Sequence, residues 1–179
     1  MRKEIRFAGF GGQGVVIAGK ILSIAAMMEG KSVSHIPSYG AEMRGGTANC
    51  SVVVSDDDIA SPIVVDLDIC IALSLPAMLK FEPKIKKGGL LIYNSSLISD
   101  KPKRDDIETV AINANEISAK HGSTIGVNMA VLGLLVKKVP EIAKLDSLTK
   151  ALDEAISERG KKHNPVNIAI MKDAYNLIP

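Results

Sequence analysis

The sequence Gly9-Phe10-Gly11-Gly12-Gln13-Gly14 most constrains this chain, because it stands between an apolar strand-like segment and an apolar helix-like one. Glycines placed this way let the backbone turn sharply from strand into helix. They also leave the helix N-terminus, with its unpaired N–H groups and partial positive charge, open to an anion. On this reading Ile5–Phe10 is a first strand and Val15–Met28 a helix ended by Gly30 in the left-handed conformation. Lys31–Ile36 follows as a second strand, then the loop Pro37–Gly46 and a β-branched strand Thr47–Ser55.

Beyond the turn at Asp56-Asp57-Asp58, the pattern gives a buried strand over Ile69–Ser74 and a helix over Pro76–Lys87, with Pro83 a candidate break within it, stopped by Gly88-Gly89. Further strands fall at Leu90–Asn94 and Thr109–Ile112. Asn113 is read as the cap of a helix running to Gly122, followed by a strongly apolar helix over Val127–Lys138. Two amphipathic helices close the chain, one starting near Ser147 and one capped by Asn164 ahead of Pro165. Strands alternating with helices imply a single domain over residues 1–179. It is an α/β, Rossmann-like three-layer fold on a mostly parallel sheet. A hairpin read over Thr47–Pro62 makes the sheet mixed.

Apolar residues form 46% of the chain and aromatics 3%, so aliphatic side chains and methionines such as Met27, Met28, Met129 and Met171 must fill the core. The net charge of +2, with basic clusters lacking interleaved aromatics, argues against nucleic acid. No apolar stretch reaches the roughly 20 residues that span a bilayer, and no signal core opens the chain, so no membrane role and a cytoplasmic location are expected. Cys50 and Cys70 lie in separate apolar stretches and read as buried thiols. Two cysteines cannot hold an iron–sulfur cluster, which needs about four thiolates.

The glycine loop alone also fits a dinucleotide-binding enzyme, a stand-alone nucleotide- or dinucleotide-dependent oxidoreductase. That fold wants an acidic residue ending the second strand, but the sequence there is Ser32-Val33-Ser34-His35-Ile36, and Glu29 comes too early. A second motif, Ser38-Tyr39-Gly40-Ala41-Glu42-Met43-Arg44-Gly45-Gly46, packs Tyr, Glu and Arg into a turn-rich loop. Arg44 suits a phosphate or carboxylate, with Glu42 orienting it. His35, His121 and His163 have no metal-ligand spacing, and no Asp or Glu partner can be assigned to them. Asn128 reads as a buried amide satisfying a neighbouring loop, and Ser95-Ser96 as a turn.

The G-F-G-G-Q-G-V opening and the S-Y-G-A-E-M-R-G-G loop with its continuation Thr47-Ala48-Asn49-Cys50 together resemble the gamma subunit of 2-oxoacid:ferredoxin oxidoreductases. Ser61-Pro62 and Asn128-Met129-Ala130 also look like that family, in the same order along the chain. The loop looks closer to 2-oxoglutarate or branched-chain versions than to pyruvate ones. The resemblance implies a subunit of an enzyme that oxidatively decarboxylates a 2-oxoacid to acyl-CoA and passes electrons to ferredoxin. It also implies alpha and beta partners, with a ferredoxin-like delta chain as a further one. Thiamine diphosphate and iron–sulfur clusters would sit on those other chains. This chain would be inactive alone and carry no catalytic or metal residue. Gly9, Gly11, Gly12, Gln13, Gly14 and Arg44 would face coenzyme A, and Ser38, Tyr39, Gly40, Glu42, Met43, Gly45 and Gly46 a partner chain.

Overall fold

A computed structural model describes residues 1–40 and 46–177. Six strands form one sheet: β1 (Arg2–Phe10), β2 (Ser32–Tyr39), β3 (Thr47–Ser55), β4 (Leu67–Ala72), β5 (Ile85–Asn94) and β6 (Glu108–Ile112). Their order is β2-β3-β1-β4-β5-β6. β1, β4, β5 and β6 run parallel, while β3 is antiparallel to both β1 and β2. The expected mixed α/β sheet is therefore present. Its hairpin is formed by β2 and β3, not by Thr47–Pro62. Nothing after Ser55 pairs back onto β3, because the chain instead crosses the sheet irregularly to reach β4.

The helices α1 (Val15–Met28), α3 (Ala114–Lys120), α4 (Val127–Lys138), α5 (Leu145–Ala155) and α7 (Asn164–Tyr175) feed one core. There they meet Ile5 and Phe7 of β1, Cys50, Val52 and Val54 of β3, and Ile69 and Ile71 of β4. The side-chain period of two sends Ala8, Val53, Cys70 and Ala72 to the opposite face. That face is covered more thinly, by α2 (Leu75–Phe81) and the segments around Val64, Ile98 and Ile107. α4 is apolar all round and lies buried between α7 and the sheet layer. The chain passes so closely at Gly133 that a side chain there would overlap the Met171 carbonyl of α7.

Several expected boundaries are corrected. The helix begun at Pro76 ends at Phe81, and after a 3-10 turn over Glu82–Lys84 the chain is already in β5. Gly88-Gly89 thus lies inside a strand instead of stopping a helix. β2 continues to Tyr39, so Pro37, Ser38 and Tyr39 belong to an edge strand, where a proline costs no ladder bond. Asn113 occupies the N-cap position of α3 as expected, but its side chain makes no capping hydrogen bond, and the Ala114 N–H is instead accepted by Asn94 Oδ1 at 3.2 Å. Asn164 does not cap α7 either, since its amide donates to Asp153 at 2.8 Å. A short α6 (Glu158–Lys161) adds a third helix after Leu145. Met27 and Met28, in the last turn of α1, are exposed, unlike the buried Met129 and Met171.

Candidate functional site

The glycine loop sits at the carboxyl end of β1, the edge at which open α/β sheets receive ligands. Its own side chain braces it. Gln13 Oε1 accepts the Phe10 N–H at 2.6 Å, and Gln13 Nε2 donates to the Leu73 carbonyl at 3.0 Å, tying the loop to the end of β4. Gly9 must lack a side chain because a Cβ would lie 2.5 Å from Gln13 Oε1. Both polar ends of the Gln13 side chain are therefore engaged within the chain itself. Gly14 has φ +74° and packs against Asn128, whose Nδ2 donates to the Gly14 carbonyl at 3.3 Å. The reading of Asn128 as a buried amide satisfying a neighbouring loop is borne out, and that loop is the glycine loop. Gly12, with φ +98°, faces open space.

The two sequence motifs meet. Gly11 N–H donates to the Gly46 carbonyl at 2.8 Å, Phe10 pairs with Thr47, and Gly40 N–H donates to the Thr47 carbonyl at 2.8 Å. Ser38 and Tyr39 pair with Asn49 and Ala48 on the same three strands. Tyr39 projects into solvent, 57% exposed. Glu42, Met43, Arg44 and Gly45 lie outside the described residues.

A cleft of about 590 Å³ opens beside the loop, walled by Gly12, Gly14, Asn128, Ser157, His163 and Asn167 among others. Among the described residues no Asp, Glu, Lys or Arg lines it. Three helices of eight or more residues begin on it: α1 at Gly14, α4 beside Asn128 and α7 at His163. None of the three has a side-chain cap or an acidic residue in its first turn. The positive ends of their dipoles thus meet in a cavity lined by no carboxylate among the described residues, a setting that favours an anion. Asn128, only 4% exposed, and His163 enter this wall from a distance in sequence, which kept the cleft out of sight at the level of motifs.

His121 proves to have a carboxylate partner, Asp173 of α7 at 3.2 Å, separated from it by 52 residues. His35 packs against α1 at Gly19 and has its Nε2 buried without a partner; burial lowers its pKa. Cys50 and Cys70 are buried free thiols on opposite faces of the sheet, and burial pushes each up to about 12. Among the described residues no three His, Cys, Asp or Glu side chains gather as metal ligands, and no helix is long and apolar enough to cross a membrane.

The dinucleotide reading loses its second element as well as its acid. β3 stands antiparallel beside β1, where a dinucleotide fold places its parallel ribose-binding strand, and β2 is displaced to the edge.

Residues 4–177 match the family model described as pyruvate ferredoxin/flavodoxin oxidoreductase. The 2-oxoglutarate synthase subunit KorC of Methanocaldococcus jannaschii is 36% identical over 167 residues, 92% of this chain and 89% of that one. The ketoisovalerate oxidoreductase subunit VorA of Methanothermobacter marburgensis is also 36% identical, over 133 residues, or 74% of this chain. The match spans only 28% of the VorA chain. The crystal structure of the gamma subunit of a keto/oxoacid ferredoxin oxidoreductase from Geobacter sulfurreducens superposes with a TM-score of 0.81 at 29% identity, covering 97% of this chain and 96% of that one. The chain therefore belongs to the pyruvate ferredoxin/flavodoxin oxidoreductase family, as a gamma-type member.

Proposed function

We propose that this chain works as the gamma subunit of a 2-oxoacid:ferredoxin oxidoreductase, with its glycine-loop cleft turned toward an anionic part of coenzyme A. The observation that carries the reading is the cleft on which three helix N-termini without side-chain caps converge beside Gly12. Thiamine diphosphate and the iron–sulfur clusters are assigned to alpha, beta or delta partners; for the clusters this is supported by Cys50 and Cys70, which face opposite sides of the sheet and provide no cluster ligand set. The complex works in the cytoplasm with ferredoxin as acceptor.

The oxoacid is 2-oxoglutarate or a branched-chain acid, as the Ser38–Gly46 motif suggests. Equal identity to a 2-oxoglutarate and a ketoisovalerate relative supports an acyl pocket built mainly by other chains. This subunit's own contribution is binding and positioning: Asn128 and Gln13 hold the loop rigid, and Arg44 supplies a cation to the ligand.

The test is made in the reconstituted complex. Gly12→Asp puts a carboxylate where the helix dipoles favour an anion. Arg44→Ala removes a charge-assisted contact worth roughly 1.5–3 kcal/mol. Each variant should bind coenzyme A about ten- to a hundred-fold more weakly, with the KM for the oxoacid changed less. Wild-type affinity in both correctly assembled variants would leave the chain a pure assembly subunit. Turnover by the purified chain alone would refute the subunit reading itself.

A further inference from the structure

On the thinly covered side of the sheet, Arg6 stands as a cation with no carboxylate partner among the described residues. Its guanidinium donates to Asn49 Oδ1 at 2.6 Å and to the Val64 carbonyl at 3.3 Å, and lies 5.0 Å from the centre of the Phe81 ring. Its Nε is buried with no partner, and burial lowers its pKa. Two more cations approach the same ring, Lys80 at 5.4 Å and Lys84 at 5.9 Å. Among the described residues none of the three forms an ion pair. The nearby carboxylates are committed or out of reach. Glu4 holds Arg2 and Lys86, Glu82 accepts the N–H groups of Lys103 and Arg104, and Asp66 pairs with none of them.

The same face is apolar beyond the cations. Arg6 pairs with Ser51, and Ser51 with Ile36 of the β2 edge, so Ile36 shares the face of Arg6 and is exposed. Ile63 and Val65 flank the carbonyl that Arg6 holds and are 69% and 67% exposed. The edge strand beside them, Ser32–Tyr39, is eight residues long and contains no Asp, Glu, Lys or Arg. Proteins that stay monomeric normally guard such an edge with charge or proline, and among these devices β2 has Pro37 alone. The opposite edge, β6, is guarded in that way, with Glu108 paired to Lys138.

We propose that this face, centred on Arg6 between α2 and the β2 edge, docks an acidic segment of a partner polypeptide. Its carboxylates meet Arg6, Lys80 and Lys84, and its apolar side chains cover Ile36, Ile63 and Val65. The inference rests on the reading of the chain as one subunit of an assembly. Charge complementarity selects the occupant. Three unpaired cations around one ring favour a carboxylate-bearing partner and disfavour a second copy of this chain, which would bring its own three cations to the same place.

The experiment measures the affinity of the purified chain for the co-expressed remaining subunits of the complex, across a salt series. Lys80 and Lys84 are exposed, so Lys80→Glu with Lys84→Glu should fold like the wild type, as its thermal midpoint will report. This double variant should bind about tenfold more weakly or worse, and lose most of the salt dependence of the wild type. Ile63→Asp should weaken binding as well, whereas Lys120→Glu, on α3 across the sheet, should not. Unchanged affinity in the double variant would overturn the proposal. So would a wild-type dimer that Ile63→Asp dissolves while affinity for the other subunits stays intact. A wild-type chain that binds none of those subunits would instead bring down the subunit reading on which the proposal stands.

Discussion

Single residues in this chain often act by filling the place where something else is expected. Gln13 completes the glycine loop from inside, and Asn128 reaches from another helix to the Gly14 carbonyl. The glycines of the motif were legible because a tight strand-to-helix turn leaves a local trace in sequence. Asn128, His163 and the His121–Asp173 pair were not, because each meets its neighbours across many residues, and no periodicity records such a meeting. The cysteines were legible for the opposite reason, since an apolar neighbourhood is a local property. At pH 8 a thiol pushed up to about 12 is ionised in roughly one molecule in ten thousand, and only the thiolate reacts. A disulfide-exchange reagent should therefore leave Cys50 and Cys70 unmodified in the native chain and modify both in denaturant. Rapid labelling of either thiol under native conditions would contradict their burial.

At the scale of elements, α1, α4 and β3 follow the boundaries read from sequence because each is punctuated. Gly14 and Gly30 bracket α1, and Pro140 lies just beyond α4. β5 was foreshortened because Gly88-Gly89 reads as a stop, whereas an interior strand admits glycine where another backbone comes close. A Cβ at Gly89 would lie 2.9 Å from the Asp68 carbonyl. The β2–β3 hairpin was misplaced because its two strands flank the long loop of the second motif, and pairing over such a gap leaves no short-range turn signature. The contact of α4 with α7 offers a direct check. Gly133→Ala would drive a methyl group into the Met171 carbonyl, so the helices must separate. Overpacking of this kind costs about 1–3 kcal/mol. The denaturant midpoint should fall with an unchanged slope, while Lys172→Ala at an exposed position of α7 should leave it nearly unmoved.

For the whole molecule, the mixed sheet and its layers were legible from alternation alone, while the inequality of the two layers was not. Alternation says that both faces are covered, and only the packing shows that five helices lie on one core and α2 on the other. The first strand is held to the hairpin by Asp56, which accepts hydrogen bonds from Lys31 and from the Met1 amino group. Those bonds lower its carboxyl pKa to about 2, below the ordinary carboxylate range. A pKa depressed by folding contributes stability that is fully present above the unfolded value near 4 and is lost as pH falls toward 2. Between those limits the thermal midpoint of the wild type should fall more steeply than that of Asp56→Asn. Parallel curves would show that the group titrates alike in both states.

The uncharged β2 edge also bears on how such a chain is made. Newly synthesised copies released faster than their partners would carry an open strand, unguarded by charge, into a crowded solution. Strand edges of that kind add to one another and lengthen into aggregates. A surplus of this subunit is thus a hazard in itself, and a host producing it safely must match its synthesis to that of the other chains or remove the orphans by proteolysis.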